Sequence, residues 1–498
     1  MEENSFEERH ASQDLSSGKR KEEPFIHRLP SEILLCIFLI SLRSSTSFLK
    51  PSDDKAAVEK HFTTTTPYNV SGVCRSWREF VVSSASLWAE FSILLNHPSP
   101  RTLDHAKSVI SLHLERSRDL LMSCSIAIFG FFRVDTTHEI ASYIALHQRR
   151  WRKLQLLFRR EPITPSSGAN FEVRSESSSG LSRFSRNDYD DAAVVNLFTG
   201  ELNYLEELSI NRASLFGVWD SKELGLPKPV PSLRRLSLEM PGRFDKLALW
   251  LSLVPNIEEL DLSFYHSDPR WYRSDSNTLQ IPTIRLYHLR RITVNHGILR
   301  GSDYNTLESS RASTFVLRCL ACPSLTELSV RVPAHICVRY LHEFFLRSSP
   351  PLRTLDLYVA MGVPAFIGAE GETMVMDGIV ELLVLLPTIA NLVLTSRHFE
   401  GVGRLIQKLC SPTLLPCLAH VDFSISGAET SQFVELVNSR WSASERALQS
   451  VVLRSCNTHM IRTSRFPSRG LHDDHSSLPE EWVGLKACIE EGLQFEVI

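Results

Sequence analysis

The chain has 498 residues, 54 of them basic and 57 acidic, a formal net charge of −3 and 43% hydrophobic residues. Such a length holds about three domains or one long repeat array, and the apolar fraction excludes a chain that is disordered throughout. The near-neutral balance excludes a global electrostatic attraction to nucleic acid or to an anionic membrane, so neither is expected as a partner.

In chain order, residues 1–24 are charged and nearly free of apolar periodicity, which predicts a disordered tail. The acidic start Met1-Glu2-Glu3 is unlike a signal or transit peptide. The longest clean apolar run, Ile33 to Leu42, spans about half of the roughly 20 residues of a membrane helix. An intracellular location, cytoplasmic or nuclear, is therefore expected, with the ten cysteines reduced. Pro30 and Glu32 suit the first turn of a helix running to about Leu42. Its apolar residues surround much of its circumference, so it needs cover on more than one side. Residues 44–67, with Pro51-Ser52-Asp53-Asp54 and Thr63-Thr64-Thr65-Thr66-Pro67, predict an exposed inserted loop. Val70, Val73, Cys74, Trp77, Phe80 and Val81 then form the apolar face of a second helix that starts near Asn69. Leu87-Trp88 opens a further element.

Leu29-Pro30-Ser31-Glu32-Ile33-Leu34, Ile37-Phe38, Val73-Cys74-Arg75-Ser76-Trp77-Arg78 and Leu87-Trp88, in that order, resemble an F-box. This is the short helical module that docks a substrate receptor onto the adaptor of a cullin–RING ubiquitin ligase. The resemblance covers residues 25–95 and departs from the family in the length of the 44–67 insertion. It implies that Leu29, Pro30, Glu32, Ile33, Leu34, Ile37 and Phe38 face the adaptor. Val73, Cys74, Trp77, Leu87 and Trp88 are then expected to form the core of the module.

Residues 99–498 carry a repeat. A Leu-x-x-Leu-x-Leu pattern recurs at Leu205/Leu208/Ile210, Leu233/Leu236/Leu238, Ile257/Leu260/Leu262, Leu289/Ile292/Val294, Leu325/Leu328/Val330, Leu352/Leu355/Leu357, Ile389/Leu392/Leu394, Leu418/Val421/Phe423 and Leu448/Val451/Leu453. Spacings run from 24 residues (Leu233 to Ile257) to 37 (Leu352 to Ile389). Their mean, about 30 residues, is close to leucine-rich repeats. Prolines such as Pro231, Pro255, Pro323 and Pro387 stand two residues before the pattern, where proline ends a helix and forces an extended approach to a strand. Helices are predicted before the strands at Phe244 to Leu253, Ser313 to Ala321, Val338 to Leu346, Asp377 to Leu386, Val402 to Cys410 and Thr430 to Asn438. Leu120 to Ile128 and Trp151/Leu154/Leu156 read as earlier strands with a helix at Glu139 to Gln148 between them, and residues 161–191 as a mobile loop. The expected fold is α/β: a small all-helical F-box module, then an irregular leucine-rich-repeat solenoid with parallel strands on one face and helices on the other.

Catalytic motifs are missing from the sequence: it has no phosphate loop, zinc-binding His-Glu-x-x-His helix or nucleophile elbow. Cys319-x-x-Cys322 with His335 and Cys337 has metal-like spacing, but the two cysteines fall in and at the end of a predicted helix and read as core thiols. His472-Asp473-Asp474-His475 reads as a solvated loop, and Gly401-Val402-Gly403 as a helix-start turn. No cofactor, metal or catalytic residue is expected. The resemblance implies a non-catalytic substrate-recognition subunit of an F-box-type ubiquitin ligase. Its partners would be the ligase adaptor and an unknown client protein, held by outward strand positions such as Glu206, Glu207, Ser209, Arg234, Arg235, Ser237, Glu258, Glu259, Asp261, Arg290, Arg291, Thr293 and Ser329. The alternative is a leucine-rich-repeat scaffold that recruits no ligase.

Overall fold

The computed structural model describes residues 29–43, 67–130, 134–160, 202–211, 229–241, 247, 251–265, 283–296, 316–360, 369–396, 402–425, 430–442, 447–454 and 480–497. The expected tail, nearly all of the 44–67 insertion, the 161–191 loop, most of the helix expected at Phe244 to Leu253, Gly401 and the His472 to His475 loop lie outside these residues. Among the described residues no helix is long and apolar enough to cross a membrane. The chain divides into two units, residues 1–87 and 88–498.

The first unit holds helices α1 (Ser31–Arg43), α2 (Pro67–Ser71) and α3 (Arg75–Ser83) and a one-turn helix at Ala85–Leu87. The single helix expected from Asn69 onward is therefore broken. Cys74 adopts an extended conformation and its Sγ accepts a hydrogen bond from the Trp77 N–H at 3.4 Å, so it caps α3 from outside the helix. Arg78 ties the two pieces together by donating from Nε to the Ser71 carbonyl at 3.1 Å.

The second unit is a parallel sheet with helices between its strands. In chain order it runs β1 (Glu90–Asn96), α4 (Pro100–Arg116), β2 (Met122–Gly130), α5 (Val134–Ala145), β3 (Trp151–Arg160), β4 (Glu207–Asn211), β5 (Arg235–Pro241), β6 (Glu259–Tyr265), β7 (Ile284–Arg285), β8 (Arg291–His296), β9 (Leu320–Ala321), β10 (Glu327–Pro333), α6 (Ala334–Ser348), β11 (Thr354–Ala360), α7 (Ala369–Val384), β12 (Asn391–Ser396), α8 (Val402–Leu409), β13 (His420–Ile425), α9 (Thr430–Trp441), β14 (Ser450–Arg454), α10 (Lys486–Glu490) and β15 (Gln494–Val497). Among the described residues thirteen strands form one sheet in chain order, and β7 and β9 pair separately. The helix expected at Ser313 to Ala321 thus ends early, because Leu320 and Ala321 pair with Ile284 and Arg285.

All twenty-seven apolar residues of the repeated pattern are buried. They are in register: one row runs Phe91, Cys124, Leu154, Leu208, Leu236, Leu260, Ile292, Leu328, Leu355, Leu392, Val421, Val451 and Phe495. A slip of one residue in any strand would turn its leucines to the opposite face, so burial itself sets the register. The prolines act differently from the expectation. The N–H groups of Leu233, Ile257, Leu325 and Ile389 donate to the carbonyls of Val230, Val254, Cys322 and Leu386 at 3.2–3.3 Å, closing turns in which proline holds the second position with its φ already set. Each following strand then starts alike, as when Glu258 and Glu259 both donate to the Arg234 carbonyl and Arg290 and Arg291 both donate to that of Glu258.

Neighbouring units are also joined through arginines that reach back to the carbonyls ending the preceding one. Arg150 donates to the Leu120 carbonyl at 2.9 Å and the Ser117 hydroxyl at 3.0 Å, and Arg347 to the carbonyls of Leu317 and Leu320. Arg440, only 4% exposed, donates to Leu409 at 2.6 Å, Ser411 at 2.8 Å, Leu415 at 3.0 Å and also Leu414. Of these carbonyls, Ser411 also accepts from the Leu414 N–H at 3.2 Å and Leu415 from the Leu418 N–H at 3.1 Å, and a guanidinium supplies several donors at once.

Near the start of the sheet, His113 of α4 is buried, with Nδ1 2.9 Å from the Trp88 carbonyl and its ring against Trp88 and Phe91. Burial, reinforced by the nearby Arg116 charge and opposed by the Trp88 hydrogen bond, pushes its pKa down to about 4. Between this value and the ordinary 6.5 the unfolded chain binds the proton and the folded chain does not. Stability is therefore full above about pH 6.5 and falls by about 3 kcal/mol as the pH drops to about 4. Hydrogen exchange in β1 and α4 is expected to accelerate over this window, and His113→Gln to flatten the dependence. An unchanged slope in that variant would assign the acid sensitivity elsewhere.

Candidate functional site

The first unit sorts the side chains of α1 by helical period. The Pro30 carbonyl accepts from the N–H groups of Ile33 and Leu34 at 3.1 and 3.0 Å and starts the helix. Leu34 and Phe38, one turn apart, are buried, and the Phe38 ring meets Trp77 edge-on with centroids 4.8 Å apart and Phe80 at 6.0 Å. Ile33, Ile37 and Ile40, at i, i+4 and i+7, lie on another face and are 49%, 40% and 68% exposed, with exposed Cys36 among them. Such a contiguous apolar stripe on a surface helix is the mark of an interaction site.

Of the residues expected to face the adaptor, Pro30, Glu32, Ile33 and Ile37 are exposed and Leu29 is half-buried. Leu34 and Phe38 depart from that expectation and fill the interior, because α1 turns them toward α3. Among the expected core residues, Leu87 is buried and Cys74 and Trp77 are half-buried. Val73 is instead 63% exposed, since it stands in the break between α2 and α3. Trp88 is buried in the second unit, where the Arg116 guanidinium lies 4.8 Å from its ring centroid. Ile40 and Cys36 were missed, although extending the Ile33/Ile37 spacing by the helical period finds both.

The second surface is the side of the sheet opposite the leucine rows. Lys153, Glu207, Arg235, Glu259, Arg291 and Glu327 are in-register neighbours on successive strands and alternate in sign. Lys153–Glu207 at 2.8 Å, Arg235–Glu207 at 3.0 Å, Arg235–Glu259 at 3.1 Å, Arg291–Glu259 at 3.9 Å and Arg291–Glu327 at 2.6 Å join them into one ladder. The Glu327 contact pushes the Arg291 pKa up. Opposite charges across strands favour this pairing order and disfavour a strand out of place. The next row toward the strand ends is small and polar, with Ser209, Ser237, Asp261 and Thr293 side by side.

Cys319 and Cys322 are buried, the Cys319 thiol donates to the Val316 carbonyl at 3.3 Å, and burial pushes its pKa up to about 12. Burial also raises Cys322, so both remain thiols. Among the described residues no three His, Cys, Asp or Glu side chains gather as a metal site requires; the side chains of His335 and Cys337 lie outside the description.

Comparison with protein families matches residues 26–94 to the F-box-like family. The matched segment contains α1, α2, α3 and the exposed stripe and extends into β1, so the chain carries an F-box-like domain at its N-terminal side. Among the curated proteins no relative matches the chain.

Proposed function

We propose that this chain is a substrate-recognition subunit of an F-box, cullin and RING ubiquitin ligase. The exposed stripe Ile33, Ile37 and Ile40 within the F-box-like segment carries the reading, because it gives an adaptor an apolar helix face to cover. The thirteen-stranded region acts as an irregular leucine-rich-repeat solenoid, with the open face of its sheet as the client surface. The subunit performs no bond chemistry; it raises the effective concentration of a client lysine near the loaded conjugating enzyme.

Size-exclusion chromatography of the full chain with the F-box adaptor at micromolar concentration tests this. Co-elution as a stoichiometric complex is expected. A folded chain that elutes apart from the adaptor would sink the ligase reading and leave a scaffold that recruits no ligase.

A further inference from the structure

The edge of the sheet where the strands begin changes character at β8. Backbone hydrogen bonds set Arg152, Glu206, Arg234 and Glu258 side by side and continue the row with Arg290, Thr326 and Arg353. The first four alternate in sign, with Arg234 3.6 Å from Glu258, and after Glu258 the row has no acid. Arg290 and Arg353 stand two strands apart, about 10 Å. Arg285, paired with Ala321, and Arg347, whose Nε donates to the Leu320 carbonyl at 2.9 Å, add two cations at the same end. All four arginines are exposed, and the side chains of Arg285, Arg290 and Arg353 have no ion pair or hydrogen bond among the described residues. The acids of the neighbouring elements are engaged or set back: Glu327 bonds Arg291 at 2.6 Å, Glu343 bonds Arg339 at 3.2 Å, Asp356 accepts from the Ser329 hydroxyl at 2.7 Å, and Glu381 lies a turn inside α7. The sequence immediately before Thr283 and Val316, residues 276–282 and 309–315, contains no acid and adds Arg311. Beside Arg347 and Arg353, the turns that end α6 and α7 border a cavity of about 330 Å³ lined by Phe345, Leu346, Pro350, Pro351, Leu385 and Pro387. Its hydroxyls are spent, Ser349 on the Leu346 carbonyl at 3.4 Å and Thr388 on the Leu352 carbonyl at 2.8 Å. Leu346 is 59% exposed, and Val384, next to Leu385, is 63% exposed.

We infer that this edge docks an acidic polypeptide segment, with a large apolar side chain in the cavity between α6 and α7 and carboxylates against Arg353 and Arg290. The cavity lies at the small end of ligand sites, about 300–1,000 Å³, and its apolar walls suit a side chain rather than a polar cofactor. Single-sign charge on an exposed edge, in a chain whose net charge is −3, attracts the opposite charge, and a carboxylate matches the fork of a guanidinium. A polypeptide is favoured over a nucleic acid because it carries an apolar side chain beside its charges, which a phosphate backbone does not. The edge is separate from the open face read above as the client surface, so the inference stands whether or not the chain joins a ligase.

The test is fluorescence anisotropy on the full chain in about 150 mM salt with three labelled peptides, Glu-Glu-Leu-Phe-Glu-Glu, Lys-Lys-Leu-Phe-Lys-Lys and Glu-Glu-Gly-Ser-Glu-Glu. The first is expected to bind about tenfold or more tighter than either of the others. Arg290→Gln combined with Arg353→Gln should lose at least that factor, and so should Leu346→Asp, whose thermal midpoint should hold because the residue is exposed. Arg75→Gln combined with Lys486→Gln, which removes the same charge elsewhere, should keep the affinity. No binding of the first peptide, equal binding of either control peptide, or an unaffected variant of either kind at the edge would overturn the inference. Binding that appears only once residues 1–24 are removed would overturn it by assigning the edge to this chain's own N-terminal segment, and displacement of the peptide by an oligothymidylate at equal concentration would assign the edge to nucleic acid instead. Adaptor co-elution reads the ligase hypothesis separately: peptide binding without adaptor binding sustains this site while the ligase reading fails.

Discussion

Replacing Ile33 and Ile37 together by Asp is expected to weaken adaptor binding by more than 100-fold while leaving the helical signal of the chain intact. Both side chains are about half exposed on α1, so a carboxylate there stays in water in the free protein and costs little. In the complex it would be desolvated against an apolar partner with no counter-charge, and central apolar anchors of this kind contribute about 2 kcal/mol or more each. The contrast lies one position along the helix. Phe38→Ala removes a buried ring from its contacts with Trp77 and Phe80 and is expected to unfold the first unit rather than to act on binding alone. Circular dichroism and co-elution of the two variants separate the roles. If the double Asp variant still co-elutes at micromolar concentration, the stripe is not the docking face.

Arg440→Ala is expected to destabilise the C-terminal part of the sheet by about 4 kcal/mol. The substitution takes the guanidinium from the carbonyls of Leu409, Ser411, Leu414 and Leu415, of which Ser411 and Leu415 keep a backbone N–H donor, and it empties the space the side chain filled. Arg440→Lys should recover less than half of this, because one ammonium cannot meet acceptors spread over four residues in different directions. Urea unfolding followed by hydrogen exchange in α8 and β13 reads the effect locally. The loss should spread first to the adjacent units, since each strand–helix unit is stabilised mainly by its neighbours. A variant as stable as the parent would show that water replaces the guanidinium at these carbonyls.

The repeat was legible in the sequence because strand burial has a period of two and the leucines sit where that period requires. Leu236 and Leu238, or Leu392 and Leu394, needed no partner to be recognised as inward-facing. The helical module was legible as a kind but not face by face. Its first helix is apolar almost all round, so sequence period alone could not decide whether Ile33 and Ile37 or Leu34 and Phe38 would meet α3. Val73 was misplaced for a related reason: its spacing from Val70 and Trp77 fits one continuous helix, but Cys74 takes an extended conformation and caps a new one.

The sequence by itself therefore determined the local and periodic features: an F-box-like opening, strands with one buried face, and the order in which they follow. These depend on interactions between residues close in the chain or repeated at a constant step. Tertiary structure alone decided which apolar residues of α1 stay exposed, that Trp88 packs with His113 in the second unit, and that Arg440 serves carbonyls some 25–31 residues earlier. Each of these depends on which distant groups arrive at the same place, and a hydrogen bond or a buried face is fixed by that arrival rather than by residue type.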